Sequence, residues 1–175
     1  MSWYGLWLFL HIFAAIIAFG PTFVFPVIGP MAGREPMHGN FWLRAIELME
    51  RRLIIPFALT LPLSGIGLIV TRHIDVFKTG WLLTAIGFYV VAIALALGHQ
   101  LPATLKLIEM SEAMPAPAPG AAPAGPPPEF ASLLKRVQMV GGLLTLLLLI
   151  IGGLMIFGKE GGHTAITAAR SVISL

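Results

Sequence analysis

The sequence predicts an all-α membrane protein, a four-transmembrane-helix up-down bundle with an amphipathic helix between spans one and two. Three observations predict it: too few charges for a water-facing surface, four apolar runs of spanning length, and polar or proline-rich breaks between them. Of the 175 residues, 57% are hydrophobic and only 11% charged, where a soluble domain carries about 25% charged residues. Lipid tails solvate apolar side chains, so a bilayer removes the need for a polar surface. The length suits a single membrane domain over residues 1–175.

A spanning helix needs about 20 mostly apolar residues, because the hydrocarbon core is roughly 30 Å thick and each residue rises about 1.5 Å. From Met1 to Gly33 there is no Asp, Glu, Lys or Arg, and the first span is placed at residues 3–28. Without a basic leader segment, and longer than a secretion signal needs, this run reads as a retained anchor. Pro21 and Pro26 fall late in it. The second span is placed at 53–71, with Pro56 and Pro62 inside. Each proline removes an amide donor, a loss tolerated in a membrane when a neighbouring helix covers the freed carbonyl. The third span, 80–101, lies in an uncharged stretch, and the fourth, 137–158, holds the most apolar run, Leu143 to Ile151.

Between spans one and two, residues 39–52 read as a helix on the membrane surface. Phe41, Trp42, Ala45, Ile46, Met49 and Leu53 recur at helical spacing, and Arg44, Glu47, Glu50 and Arg51 are assigned to the opposite, polar face. Asn40 is a candidate N-cap, and Glu47 and Arg51 form a favourable i,i+4 pair. Between spans three and four, residues 114–128 hold seven prolines among alanines and glycines, which predicts a disordered or extended tether. Loops one and three together carry seven Lys and Arg against four on the opposite side. The expectation is therefore a bacterial inner-membrane protein with both termini outside.

Spans associate through small residues and a few polar contacts. His11, Ala15, Ala18 and Thr22 form such a stripe in span one, and Thr60, Ser64, Gly67 and Thr71 in span two. Span three offers two faces, one of Thr84, Gly87, Val91, Ala94 and Gly98, the other of Tyr89, Ala92, Ala96 and His99. Span four offers Gln138, Gly141, Thr145 and Gly152. The polar members, Thr60, Ser64, Thr71, Thr84, Gln138 and Thr145, are expected inside the bundle.

There is no cysteine, which excludes disulfides, Cys-ligated metal and covalently attached haem. The sequence has no phosphate-binding loop, zinc-protease motif or nucleophile elbow. Its charge of +3 rests on few residues and gives no nucleic-acid face. His73 and Asp75, in one short loop, lack further metal partners. The two intramembrane histidines are the sharp features, since an ionisable group in a span normally faces the interior and marks function. His11 and His99 are thus the candidate cofactor-binding residues, haem b being the group they could hold, although the baseline expectation is no cofactor. A single haem between them fails on depth. Counted from the same side, His11 lies about 8 and His99 about 19 residues in, a difference of roughly 16 Å in height. His11 is instead expected to hydrogen-bond Ser64, which lies at matching depth on the antiparallel second span. His99 is expected at the end of span three, within reach of Arg52 or Gln138.

The segments LWLFLHIFAAIIAFGPTFVF, RRLIIPFALTLPLSGIGLIV and GHQLPATLKL, the last with a Pro closing span three, carry a resemblance. Together they resemble the predicted integral membrane family known as domain of unknown function 2269. That family is similar, more remotely, to the CopD-like copper-resistance proteins and the HemJ-type protoporphyrinogen oxidases. In the HemJ type a His in span one and a Lys early in span three are implicated in haem binding. His11 matches the first position, whereas the corresponding start of span three, GWLLTAIGF, has no Lys. Two main readings follow: a non-enzymatic scaffold or accessory subunit within a membrane complex or homo-oligomer, or a haem-handling redox protein using His11. A small-solute carrier built on the proline-interrupted spans is the third, with the apparent lack of buried acids against ion coupling.

Overall fold

The computed structural model describes the backbone of residues 2–34, 39–114 and 126–173, and the side chains of those up to residue 158 other than 26 and 30–34. Within these residues there is no strand, and the chain forms six α-helices. α1 runs Trp3–Arg34. α2, Gly39–Met49, passes through a π-helical turn, Glu50–Ile54, into α3, Ile55–Arg72. α4, Gly80–Leu95, passes through a second π-turn, Ala96–Gln100, into α5, Leu101–Glu112. α6 starts at Pro128 and runs to Ile173. Four stretches are long and apolar enough to cross a membrane: Trp3–Gly29, Gly39–Arg72, Gly80–Glu112 and Pro128–Gly158. The proline-rich segment expected at 114–128 lies mostly outside the described residues, apart from its two ends; Pro128 itself opens α6, where its missing amide costs nothing.

The prolines of spans two and three shape the rods without ending them. Pro56 and Pro102 each follow a π-turn closed by the residue directly before the proline. Ile55 donates its amide to the Glu50 carbonyl, and Leu101 donates to Ala96. Lengthening the hydrogen-bond reach by one residue absorbs the amide that proline lacks. Pro102 therefore does not close the third helix, as its position at a span end suggested; the rod continues to Glu112. Pro62 lies within α3, and the Tyr89 hydroxyl of α4 donates to the carbonyl of Ala58, four residues before it.

The turn between α3 and α4 is built by local capping. His73 adopts a left-handed backbone with φ 51°, its amide reaching the carbonyls of Ile69 and Val70. Asp75 Oδ1 then accepts from the amides of Phe77 at 3.1 Å and Lys78 at 3.3 Å. The His73–Asp75 pair is thus a helix stop followed by a cap.

Contacts between α1 and α3 descend one helix as they climb the other, so these spans run antiparallel. Arg72 stacks 4.0 Å over the Tyr4 ring, Trp7 lies against Gly67, His11 bonds Ser64, and Phe13 meets Phe57 edge-on at 6.3 Å. Ala14, Ala18, Ala58 and Leu61 form the buried core between them, flanked by Phe19, Tyr89 and Ile93. Small side chains let the helices close up, and dispersion rather than water exclusion holds them in lipid. The fit is tightest at Gly67, where an added Cβ would stand 2.3 Å from the Trp7 ring. α4 and α6 meet in the same manner, Gly158 lying under Trp81, where an added Cβ would stand 2.7 Å away.

Every span also turns large apolar side chains outward, among them Phe9, Ile16, Leu63, Val70, Val90, Leu149 and Ile156. On α4 the inward face is the one with Tyr89 and Ala92, while Thr84, Gly87, Val91, Ala94 and Gly98 are exposed.

Candidate functional site

His11 lies in the contact between α1 and α3. Its Nδ1 is 2.9 Å from Ser64 Oγ, as the matched depths predict. Ser64, 5% exposed, donates its own hydroxyl proton within α3, to the carbonyl of Leu61 at 3.0 Å with Thr60 at 3.3 Å. With that proton used, the hydrogen bond assigns the other one: His11 Nδ1–H donates to Ser64 Oγ, and Nε2 carries the lone pair. The imidazole rests on Gly65, whose added Cβ would meet His11 Cε1 at an ordinary 3.6 Å. Glycine here leaves room for the ring.

The remaining members of the polar stripe do not join helices. Thr60 and Thr84 are exposed and donate to carbonyls of their own helices, Phe57 at 2.7 Å and Gly80 at 2.9 Å. Thr71 and Thr145, half-buried, do likewise, to Gly67 at 2.6 Å and Gly141 at 3.0 Å. Gln138 is exposed. A threonine hydroxyl satisfied by the preceding turn has no need of a neighbouring helix, which is why the expected inward placement fails for Thr60 and Thr84. Among these residues Ser64 alone bonds across to another span.

His99 lies on the second π-turn, within a helix that continues past it. Its Nδ1 is buried without a hydrogen-bond partner. Gln100, beside it, turns its Nε2 toward Gly141 of α6 and leaves Oε1 buried and unpartnered. His11 and His99 are not brought together.

The residue that sequence periodicity misplaced is Glu50. Assigned to a solvated face, it is 6% exposed, and its carboxylate faces the hydroxyl of Thr104, itself 1% exposed. The reason is the medium. Phe41, Leu48 and Met49 of α2 are exposed, while Leu43 and Glu50, seven residues apart on one face, turn inward. Apolar side chains lose nothing by facing lipid, and an acid gains from facing protein. The i,i+7 spacing of Leu43 and Glu50 was the signal for it. The other acids of this side that pair are near the surface: Glu47 with Arg51 at 3.0 Å, Glu112 with Arg44, and Glu129 with Lys106 at 3.6 Å.

An apolar groove lies between the later part of span one and α2, lined by Val24, Phe25, Ile28, Trp42, Ile46 and Met49. Among the described residues no three His, Asp or Glu side chains gather as metal ligands.

Compared with known proteins, residues 6–158 match a family model described as predicted integral membrane protein, DUF2269. No curated protein and no solved structure matches the chain.

Proposed function

The chain belongs to the DUF2269 family of predicted integral membrane proteins, and on that premise we propose that it is a non-enzymatic scaffold or accessory subunit. It would sit in a bacterial inner membrane, both termini outside, and present its apolar helix faces to a larger membrane complex or to further copies of itself. The observation that carries this reading is the use made of His11. The most chemically suggestive side chain of the spans is spent on an interhelical bond to Ser64, against the glycine that admits its ring. Large exposed apolar residues on every span offer surface for lipid and for partner helices alike. The test is the mass of the particle released by a mild detergent. An assembly heavier than one chain with its micelle, with a constant stoichiometry, is expected; a lone monomer would contradict it.

A second reading has one observation in its favour. The bond to Ser64 orients the His11 ring and leaves Nε2 with its lone pair, the arrangement by which a second residue sets up a metal-ligating histidine. His11 would then be the axial ligand of a haem b, with the HemJ-like oxidases as the remote likeness. A carrier role is the third reading, supported by the buried acid at Glu50, since intramembrane acids mark ion pathways.

A further inference from the structure

Where α5 meets the first turns of α6 a polar pocket opens, lined by Lys106, Glu129, Ser132, Leu133 and Arg136. Counted from Glu129, the other three residues of α6 stand three, four and seven positions on, so all four share one helix face. Lys106 closes the pocket from α5. The space between them is about 170 Å³, several times what one water occupies. Its cations are only lightly engaged. Lys106 Nζ stands 3.6 Å from Glu129 Oε1, with side chains 59% and 73% exposed, and a pair so open to solvent adds little. Arg136 is exposed and forms no ion pair with any described residue. Ser132 spends its proton on the Glu129 carbonyl at 2.8 Å, so recognition falls to the two cations. Against the single carboxylate they leave one net positive charge.

The depth of the pocket says what that charge meets. Gly158 lies under Trp81, which gives α4 and α6 a common level at their far end, where an aromatic ring suits the interface. From that level Arg136 is about 33 Å along α6, and Lys106 about 38 Å along the rod of α4 and α5. The hydrocarbon core is roughly 30 Å thick and the whole bilayer about 40–45 Å. Both cations therefore stand among the headgroups of the opposite leaflet. Toward the bilayer centre the pocket's face of α6 continues as Met139 and Leu143, which are 58% and 46% exposed. Pro102, one turn before Lys106, is exposed on α5. A phosphate placed between the cations thus has an apolar path directly beneath it for an acyl chain.

We propose that Lys106 and Arg136 form a binding site for one anionic phospholipid, its phosphate held between the two side chains and its tail laid along Met139 and Leu143. Arg matches a phosphate with two parallel donors, and Lys adds a point charge; basic pockets between spanning helices take anionic headgroups in this way. One net positive charge fits a phosphodiester without a cation of its own, as in phosphatidylglycerol, better than a zwitterionic headgroup. The lipid would join α5 to α6 at the end where the long loop separates them. This site goes beyond the scaffold reading, since it needs no protein partner.

The full chain, purified in an uncharged detergent, tests this by native mass spectrometry with phosphatidylglycerol or phosphatidylcholine of the same acyl chains. Phosphatidylglycerol should bind in one saturable step per chain, at least about tenfold tighter than phosphatidylcholine. Lys106→Gln and Arg136→Gln should each remove most of that preference, and Glu129→Gln should strengthen binding. Lys135→Gln is the control. It removes the same charge from an exposed position of the same helix that does not line the pocket, and should leave the step unchanged. Unfolding midpoints in lipid-free detergent, expected to match for all four variants, separate binding from folding. Equal affinity for the two lipids would overturn the proposal, as would equal weakening by Lys135→Gln and Arg136→Gln. Release of the lipid by inorganic phosphate would also overturn it, by making the pocket a site for free anions.

Discussion

The Tyr89 hydroxyl donates to the carbonyl of Ala58, the oxygen that an amide at position 62 would have bonded had that residue not been proline. A proline in span two is thus satisfied by a phenol from span three. The bond also ties the helix pair of spans one and two to the pair of spans three and four, since Ala58 belongs to the core that α1 and α3 share.

Removing that hydroxyl with Tyr89→Phe should lower stability by about 1 kcal/mol, the scale of interhelical hydrogen bonds in membranes. Restoring the backbone donor with Pro62→Ala should make the same change cost less. Reversible unfolding in mixed micelles, run as a double-mutant cycle, reads the difference. Additive effects would mean that the phenol does not substitute for the proline's amide.

Gly67→Ala should destabilise by about 1–3 kcal/mol, the usual cost of overpacking a tight contact, because the new methyl enters the Trp7 ring. Gly87→Ala is the control. It has open space around it and should change stability by no more than about 0.5 kcal/mol. Thermal midpoints of the two variants in one detergent compare them directly, and equal losses would count against the Trp7–Gly67 contact.

Much of this arrangement is legible in the sequence, for physical reasons. Spanning length and apolarity follow from bilayer thickness, so the helices that cross are visible as runs of residues. The His11–Ser64 bond is legible because two antiparallel spans put equal distances from a common side at equal depth. Glu50 was not legible, because its assignment borrowed the logic of a helix in water, where acids face out. In lipid the apolar flank with Phe41 and Leu48 can face out, and the face of Leu43 and Glu50 turns in. The π-turns before Pro56 and Pro102 were also invisible, since a proline permits a kink, a break or a widened turn, and only packing selects among them. The threonine stripe misled because a hydroxyl can be satisfied within its own helix.

The chain has no cysteine, so single cysteines report topology without background. With both termini outside, Phe77→Cys, on the short turn where Phe77 is 87% exposed, should react with an impermeant maleimide in intact cells. Ala113→Cys, at the end of α5, should react only after the membrane is opened. The reverse pattern would place the surface helix outside.

The account rests on His11 being a packing residue, and the measurement closest to that claim is the visible absorption spectrum of the purified chain after growth with added haem precursor, recorded for the natural sequence and for His11→Ala. The expected result is no Soret band in either sample, together with a lower unfolding midpoint for His11→Ala, by about 1 kcal/mol for the lost bond to Ser64. A Soret band in the natural sequence that disappears with His11 would contradict it and make the histidine a haem ligand.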